Sequence, residues 1–128
     1  MSMYFTGRKK PPCENMNRFN RLPEFEKELE RLRGKYRSLP DDLSRLEKIL
    51  VLHPTGIGTN FTIIHRQESV TIIKTRLACH ALKSRSVRLI YAYHNDTLTF
   101  VYLEMYFKGD KEDENRERIK WYLKNLLS

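Results

Sequence analysis

Between Ser69 and Asn95 the chain carries Lys74, Arg76, Lys83, Arg85 and Arg88 and not one acidic residue. Such a segment is suited to holding an anion. An arginine grips phosphate with two parallel hydrogen bonds, and a lysine becomes a base where burial or neighbouring cations depress its pKa. Further along, Glu104 and Tyr106 repeat the two-residue spacing of Lys74 and Arg76, the spacing that puts side chains on one side of a strand. These residue types match what RNA cleavage by its own 2′-hydroxyl demands. One group takes the proton, cations stabilise the charged phosphorane-like transition state, and an acid protonates the leaving oxygen. Glu104 is the one acid expected on this face, either as general base or as the ion-pair partner of Arg76 or Arg88. Tyr106 can donate a proton or stack on a base.

The elements that must position these residues follow from periodicity. Pro23 suits a first helical turn, and Phe25, Leu29, Leu32 and Tyr36 then fall on one helical face. Ser38 can cap a second helix with Pro40 in its first turn. Leu43, Leu46, Ile49 and Leu50 make its apolar stripe, and His53-Pro54 ends it. After the turn-rich loop Pro54–Asn60 the period becomes two. Strands are expected over Phe61–His65, Val70–Leu77, Val87–His94 and Leu98–Phe107, with Lys83 and Arg85 in the loop between the second and third. Residues 112–127 read as a last helix with Ile119, Tyr122, Leu123 and Leu126 on one side.

This order predicts an α+β domain: an N-terminal helical hairpin packed on a four-stranded, mainly antiparallel sheet, with a C-terminal helix. Residues 1–20 form a flexible basic arm and residues 21–128 the single domain. If the aliphatic strand faces meet the helices, Lys74, Arg76, Arg88, Tyr102, Glu104 and Tyr106 converge on an open face.

Composition restricts the function classes. The formal net charge is +8, concentrated in the first 40 residues and in the acid-free segment, so nucleic acid, phosphate ligands or acidic proteins are the expected partners. No apolar run is long enough to span a membrane, and no apolar stretch follows Arg8, Lys9 and Lys10 as a secretory signal requires. Cys13 and Cys79 sit in unlike contexts, so no disulfide framework is expected and the cytoplasm is the default location. Cys79-His80 is a lone pair without zinc-ligand spacing; neither metal nor small-molecule cofactor is expected.

The stretch Thr75–Ile119 resembles the RelE/ParE superfamily of toxins from toxin–antitoxin pairs. The resemblance rests on Lys74-x-Arg76, on Ser86-Val87-Arg88-Leu89-Ile90-Tyr91, on Glu104-x-Tyr106-x-Lys108-Gly109-Asp110-Lys111 and on Glu114-Asn115-Arg116-Glu117-Arg118-Ile119. With the preceding helices it covers roughly residues 23–125. It implies a RelE-like toxin: a metal-independent, ribosome-dependent mRNA endoribonuclease that inhibits translation and is held by a cognate antitoxin protein. It also implies that Lys74 and Arg76 are the strand cations, Arg88 the phosphate-stabilising arginine, and Lys108 and Lys111 further RNA-binding residues, alongside Lys83 and Arg85. Many active members place a His or Tyr near the C-terminus. This chain ends WYLKNLLS, which leaves Tyr106 or His94 as stand-in proton donors, or an enzyme of low activity. A ParE-like gyrase inhibitor and a non-catalytic RNA or antitoxin binder are the alternatives on the same fold.

Overall fold

The computed structural model describes residues 18–78 and 86–126. In chain order these form β1 (Arg18–Arg21), α1 (Pro23–Lys35), α2 (Leu39–Leu52), β2 (Phe61–Gln67), β3 (Val70–Ala78), β4 (Ser86–His94), β5 (Thr99–Phe107) and α3 (Arg116–Leu126). The strands make one sheet in the order β1-β5-β4-β3-β2. Strands β2 to β5 are an antiparallel meander, and β1 joins β5 in parallel.

That corrects the expected arrangement. A strand, not a helix, comes first, and the sheet is five-stranded and mixed rather than four-stranded. The sequence Arg18-Phe19-Asn20-Arg21 has no apolar alternation to announce a strand. What holds it is backbone pairing to β5 and a single ring: Phe19 stacks on buried Phe100, with centroids 4.6 Å apart. The rest of the expected arm, residues 1–17, lies outside the described residues.

The helical hairpin forms for the reasons its sequence suggests. Helix α1 has Pro23 in its first turn, acids at its N-terminal end and bases at its C-terminal end, which complements its dipole. It buries Phe25, Leu29 and Leu32, and α2 buries Leu43, Leu46 and Leu50. Ser38 makes no side-chain cap to the backbone; its hydroxyl donates to Asp42 at 2.7 Å instead. The hairpin lies on the sheet face that carries Ile73, Leu77, Leu89, Tyr91, Tyr93, Phe100, Tyr102 and Met105. Two buried tyrosines pin it there: Tyr102 donates to Glu47 of α2 and Tyr91 to the Pro54 carbonyl, each at 2.8 Å.

The opposite face is not left open. Ile119 and Tyr122 of α3 pack on Ile72, Ile90, Ala92, Val101, Leu103 and Tyr106, so the sheet sits between two helical layers. Helix α3 starts at Arg116, later than expected, because the Asn115 side-chain oxygen accepts the Arg118 N–H at 3.0 Å and caps it.

Strand β5 also departs from simple alternation. Ile90 pairs with Glu104, but the next β4 residue, Tyr91, pairs with Tyr102. Leu103 is therefore an extra residue, a bulge. Val101, Leu103, Glu104 and Tyr106 all fall on the α3 face, while Phe100, Tyr102, Met105 and Phe107 fall on the hairpin face. Tyr102 is thus removed from the set expected beside the cations. A second bulge, at Ile64 of β2, turns that side chain toward the α3 core.

Strand β1 pairs only the first part of β5, through residues 99–102. Beyond it the β5 edge needs other partners. Glu28 of α1 accepts the Met105 N–H at 3.0 Å, and Arg118 of α3 donates to the Leu103 carbonyl at 2.8 Å. The two side chains also bond each other through both terminal guanidinium nitrogens, at 3.0 and 2.8 Å. This pair closes the sheet edge and ties the two helical layers together. Removing one partner strands the other and an edge backbone group, so Glu28→Ala should lower the unfolding free energy by about 3 kcal/mol. Urea unfolding of the single variants and of Glu28→Ala/Arg118→Ala should give non-additive losses.

Candidate active site

The site is built by cross-strand register. Arg76 of β3 stands opposite Arg88 of β4, and Arg88 stands opposite Tyr106 of β5. Two residues along, Lys74 stands opposite Ile90, and Ile90 opposite Glu104. Directly paired residues on adjacent strands have Cβ atoms about 5 Å apart, so two rows of functional side chains run across the α3 face. The helix packs over Ile90 and Tyr106, and Lys74, Arg76 and Arg88 remain partly or fully exposed beside it.

Two like charges in direct opposition repel. The Arg88 pKa is lowered from its ordinary value, first by burial and then by the Arg76 charge, with Tyr106 acting the other way. Tyr106 is buried, and its hydroxyl has no hydrogen-bond partner among the described residues. Burial, helped by Glu114 and Glu104, pushes this phenol up to about 12, so at neutral pH it holds its proton.

Glu104, expected to be exposed beside the arginines, is buried. Its two oxygens accept from Lys111 and from the Asn115 N–H, the latter at 2.7 Å. It therefore anchors the connector from β5 to α3. Lys111 in turn lies 5.3 Å from the centre of the Tyr106 ring, within cation–π range. Lys108 stands exposed just past β5, and Lys83 and Arg85 lie outside the described residues.

Glu114 is the residue that sequence reasoning missed. Its carboxylate lies 3.0 Å from the Lys74 ammonium and 3.7 Å from the Arg116 guanidinium. Burial raises its pKa, but a backbone hydrogen bond and Lys74 outweigh that, and the net direction is down. Nothing in local spacing links positions 74 and 114. The one available signal is the acidic run Glu112-Asp113-Glu114 just ahead of a helix start.

His94 does not join the site. It is six residues along β4 from Arg88, roughly 20 Å away at strand rise, and its Nε2 shares a 2.5 Å hydrogen bond with the Tyr122 hydroxyl. Tyr122, expected on the apolar side of the last helix, is indeed buried there. Among the described residues no three His, Cys, Asp or Glu side chains are grouped to hold a metal ion, and no helix is long and apolar enough to cross a membrane.

No family profile matches the chain, and no curated relative does. Among solved structures, a chain of the archaeal RelE–RelB complex from Pyrococcus horikoshii OT3 is similar, with a TM-score of 0.56 and 16% sequence identity. The match covers 75% of this chain and 99% of that one. The fold is therefore RelE-like.

Burial lowers the His94 pKa, only partly offset by Asp96. The unfolded chain then takes up a proton before the folded one does, so this group's contribution is complete above about pH 6.5 and is lost as pH falls below it. Thermal unfolding across that range should show stability rising with pH, and His94→Gln should flatten the slope.

Proposed function

We propose that this protein is the toxin of a toxin–antitoxin pair and that it cleaves mRNA on the ribosome without a metal ion. The observation that carries the proposal is the row Arg76, Arg88 and Tyr106, in direct cross-strand register, with two arginines in opposition and a buried, protonated phenol beside them. The RelE-like fold supports it, and the similar structure is a RelE–RelB complex, which supports an antitoxin as the protein partner. The charge pattern adds support: a net +8, with no acid in residues 69–95.

In this mechanism the scissile phosphate sits between Arg76 and Arg88. The 2′-oxygen attacks phosphorus, the bond from phosphorus to the 5′-oxygen breaks, and the products are a 2′,3′-cyclic phosphate and a 5′-hydroxyl. The arginines balance the charge that builds on the non-bridging oxygens. Tyr106 gives its proton to the leaving 5′-oxygen. The Lys74–Glu114 pair lies two residues along β3 from Arg76, and Glu114, an ionised carboxylate, takes the proton released by the 2′-hydroxyl. Lys108, Lys83 and Arg85 belong to the flanking RNA track.

A second reading has one observation in its favour. Lys74 and Lys111 are already engaged by carboxylates, which suits a protein that holds RNA without cutting it. Primer extension on a reporter mRNA in a reconstituted translation system separates the two. The proposal expects discrete cuts, with Arg88→Ala about 100- to 1,000-fold slower, the usual loss when one transition-state donor is removed. Tyr106→Phe should lose about 100-fold or more. Intact mRNA at high toxin excess, with salt-sensitive RNA binding retained, would establish the second reading.

A further inference from the structure

Among the described residues, β2 is an edge strand of the sheet, bonded to β3 on one side only. The register says which of its backbone groups face outward. The Asn60 carbonyl accepts the Arg76 N–H at 3.1 Å. The hydrogen-bonded pairs of this antiparallel ladder therefore fall at Asn60 with Arg76 and at Thr62 with Lys74, and Phe61 and Ile63 sit in the non-bonded pairs. The N–H and C=O groups of Phe61 and Ile63 point away from β3, out of the sheet edge. Exposed edges are commonly blunted by charge or by a bulge. Both devices stand in the second half of β2, as the bulge at Ile64 and the exposed His65 and Arg66. The first half, Phe61-Thr62-Ile63, carries no charge.

The side chains along the same edge are apolar and uncovered. Phe61 and Ile63 stand opposite Thr75 and Ile73, on the hairpin face of the sheet. Ile63 is exposed, and so are Ile49 and Leu52 of α2 and Ile57 of the loop that follows. Where α2 passes the start of β2 there is a hollow of about 270 Å³, with Leu46, Ile49, Phe61 and Leu77 in its wall. The Phe61 ring packs against Gly56, whose φ of +96° and missing Cβ let the loop come close, so this wall is set before anything binds. The charge here is one-sided. From Leu43 to Gln67 the chain carries Arg45, Lys48 and Arg66, all exposed, against one acid, Glu47, which already accepts the Tyr102 hydroxyl.

We propose that this edge is a docking surface for an extended segment of a partner protein, one that alternates apolar and acidic residues. The segment adds to β2 as a further strand. Its backbone bonds the outward groups of Phe61 and Ile63, and its apolar side chains cover Ile63 and Ile49 and reach into the hollow, the division of labour usual in strand addition. Its acidic side chains answer Arg45, Lys48 and Arg66. A helix would fill an apolar groove but leave the outward N–H and C=O groups unbonded. A second copy of this chain fits poorly, because each copy carries a net +8 and two-fold pairing of β2 would bring one basic edge against another. The surface lies on the hairpin side of the sheet, so the inference does not use the RNA reading and holds whether or not mRNA is cut.

The test uses the full-length protein and peptides selected against it from a random displayed library. Enriched peptides are synthesised and their affinity is measured by fluorescence anisotropy. The proposal expects acidic sequences with an apolar residue at every second position. Their binding should slow amide exchange at Phe61 and Ile63, and N-methylation of alternate peptide amides should abolish it. Ile63→Lys and Ile49→Lys, both at exposed positions, should each weaken binding about ten-fold or more, the scale of one buried aliphatic side chain. Selected peptides with apolar residues at helical spacing, or affinity unchanged in both variants, would overturn the strand reading. A selection that yields no binder overturns it as well. So does self-association of the protein in sedimentation that Ile63→Lys abolishes, which makes the edge a contact between copies of this chain.

Discussion

The bond between Glu28 and Arg118 holds positions 90 residues apart, from α1 and α3, around the open part of the β5 edge. Everything proposed for the site depends on it. The pair satisfies a carbonyl and an amide that β1 is too short to reach. It also fixes the start of α3, and with it Asn115, whose N–H holds Glu104. From there the chain of contacts runs through Lys111 to the Tyr106 ring and through Glu114 to Lys74. Its hydrogen bond to Glu28 raises the Arg118 pKa. An edge that would invite pairing with another strand is thereby turned into the brace for the face that carries the candidate site.

The electrostatic design of that face is uneven on purpose of register. Cations and carboxylates alternate between rows: Arg76 and Arg88 lie in one, Lys74 and Glu104 in the next. Among the described residues, Glu114 engages Lys74 of the second row and Glu104 holds the connector. The first row keeps arginine facing arginine and a phenol whose hydroxyl is buried. Placing two arginines in direct opposition costs stability.

Much of this was legible in the chain. The 3.6-residue stripes of α1 and α2 and the two-residue period of β3 and β4 follow from burying one face, and they place Lys74, Arg76 and Arg88 together. What escaped reading had no local signal. Strand β1 is four residues held by backbone pairing and one stacked ring. The bulge at Leu103 shifts which β5 residues share a face, so Tyr102, read as a neighbour of Glu104, lies under α2 instead. The coverage of the second face by α3 depends on where Asn115 caps the helix. The Lys74–Glu114 contact spans 40 residues and exists only once the connector is folded.

The same bulge has a consequence for how this chain tolerates change. Before Leu103, even positions of β5 face the hairpin; after it, odd ones do. A record of accepted substitutions along the strand would therefore show two phases of opposite sign. Polar replacements near Glu104 and Tyr106 would sit in register with aliphatic ones at Val101. Deleting the extra residue would join the phases into one and carry either the Glu104–Tyr106 end or the β1 end of the strand onto the wrong side of the sheet. The bulge lets a single strand serve two masters, an aromatic core at one end and the Glu104–Tyr106 stretch on the opposite face at the other, each free to drift without dragging the other's alternation along.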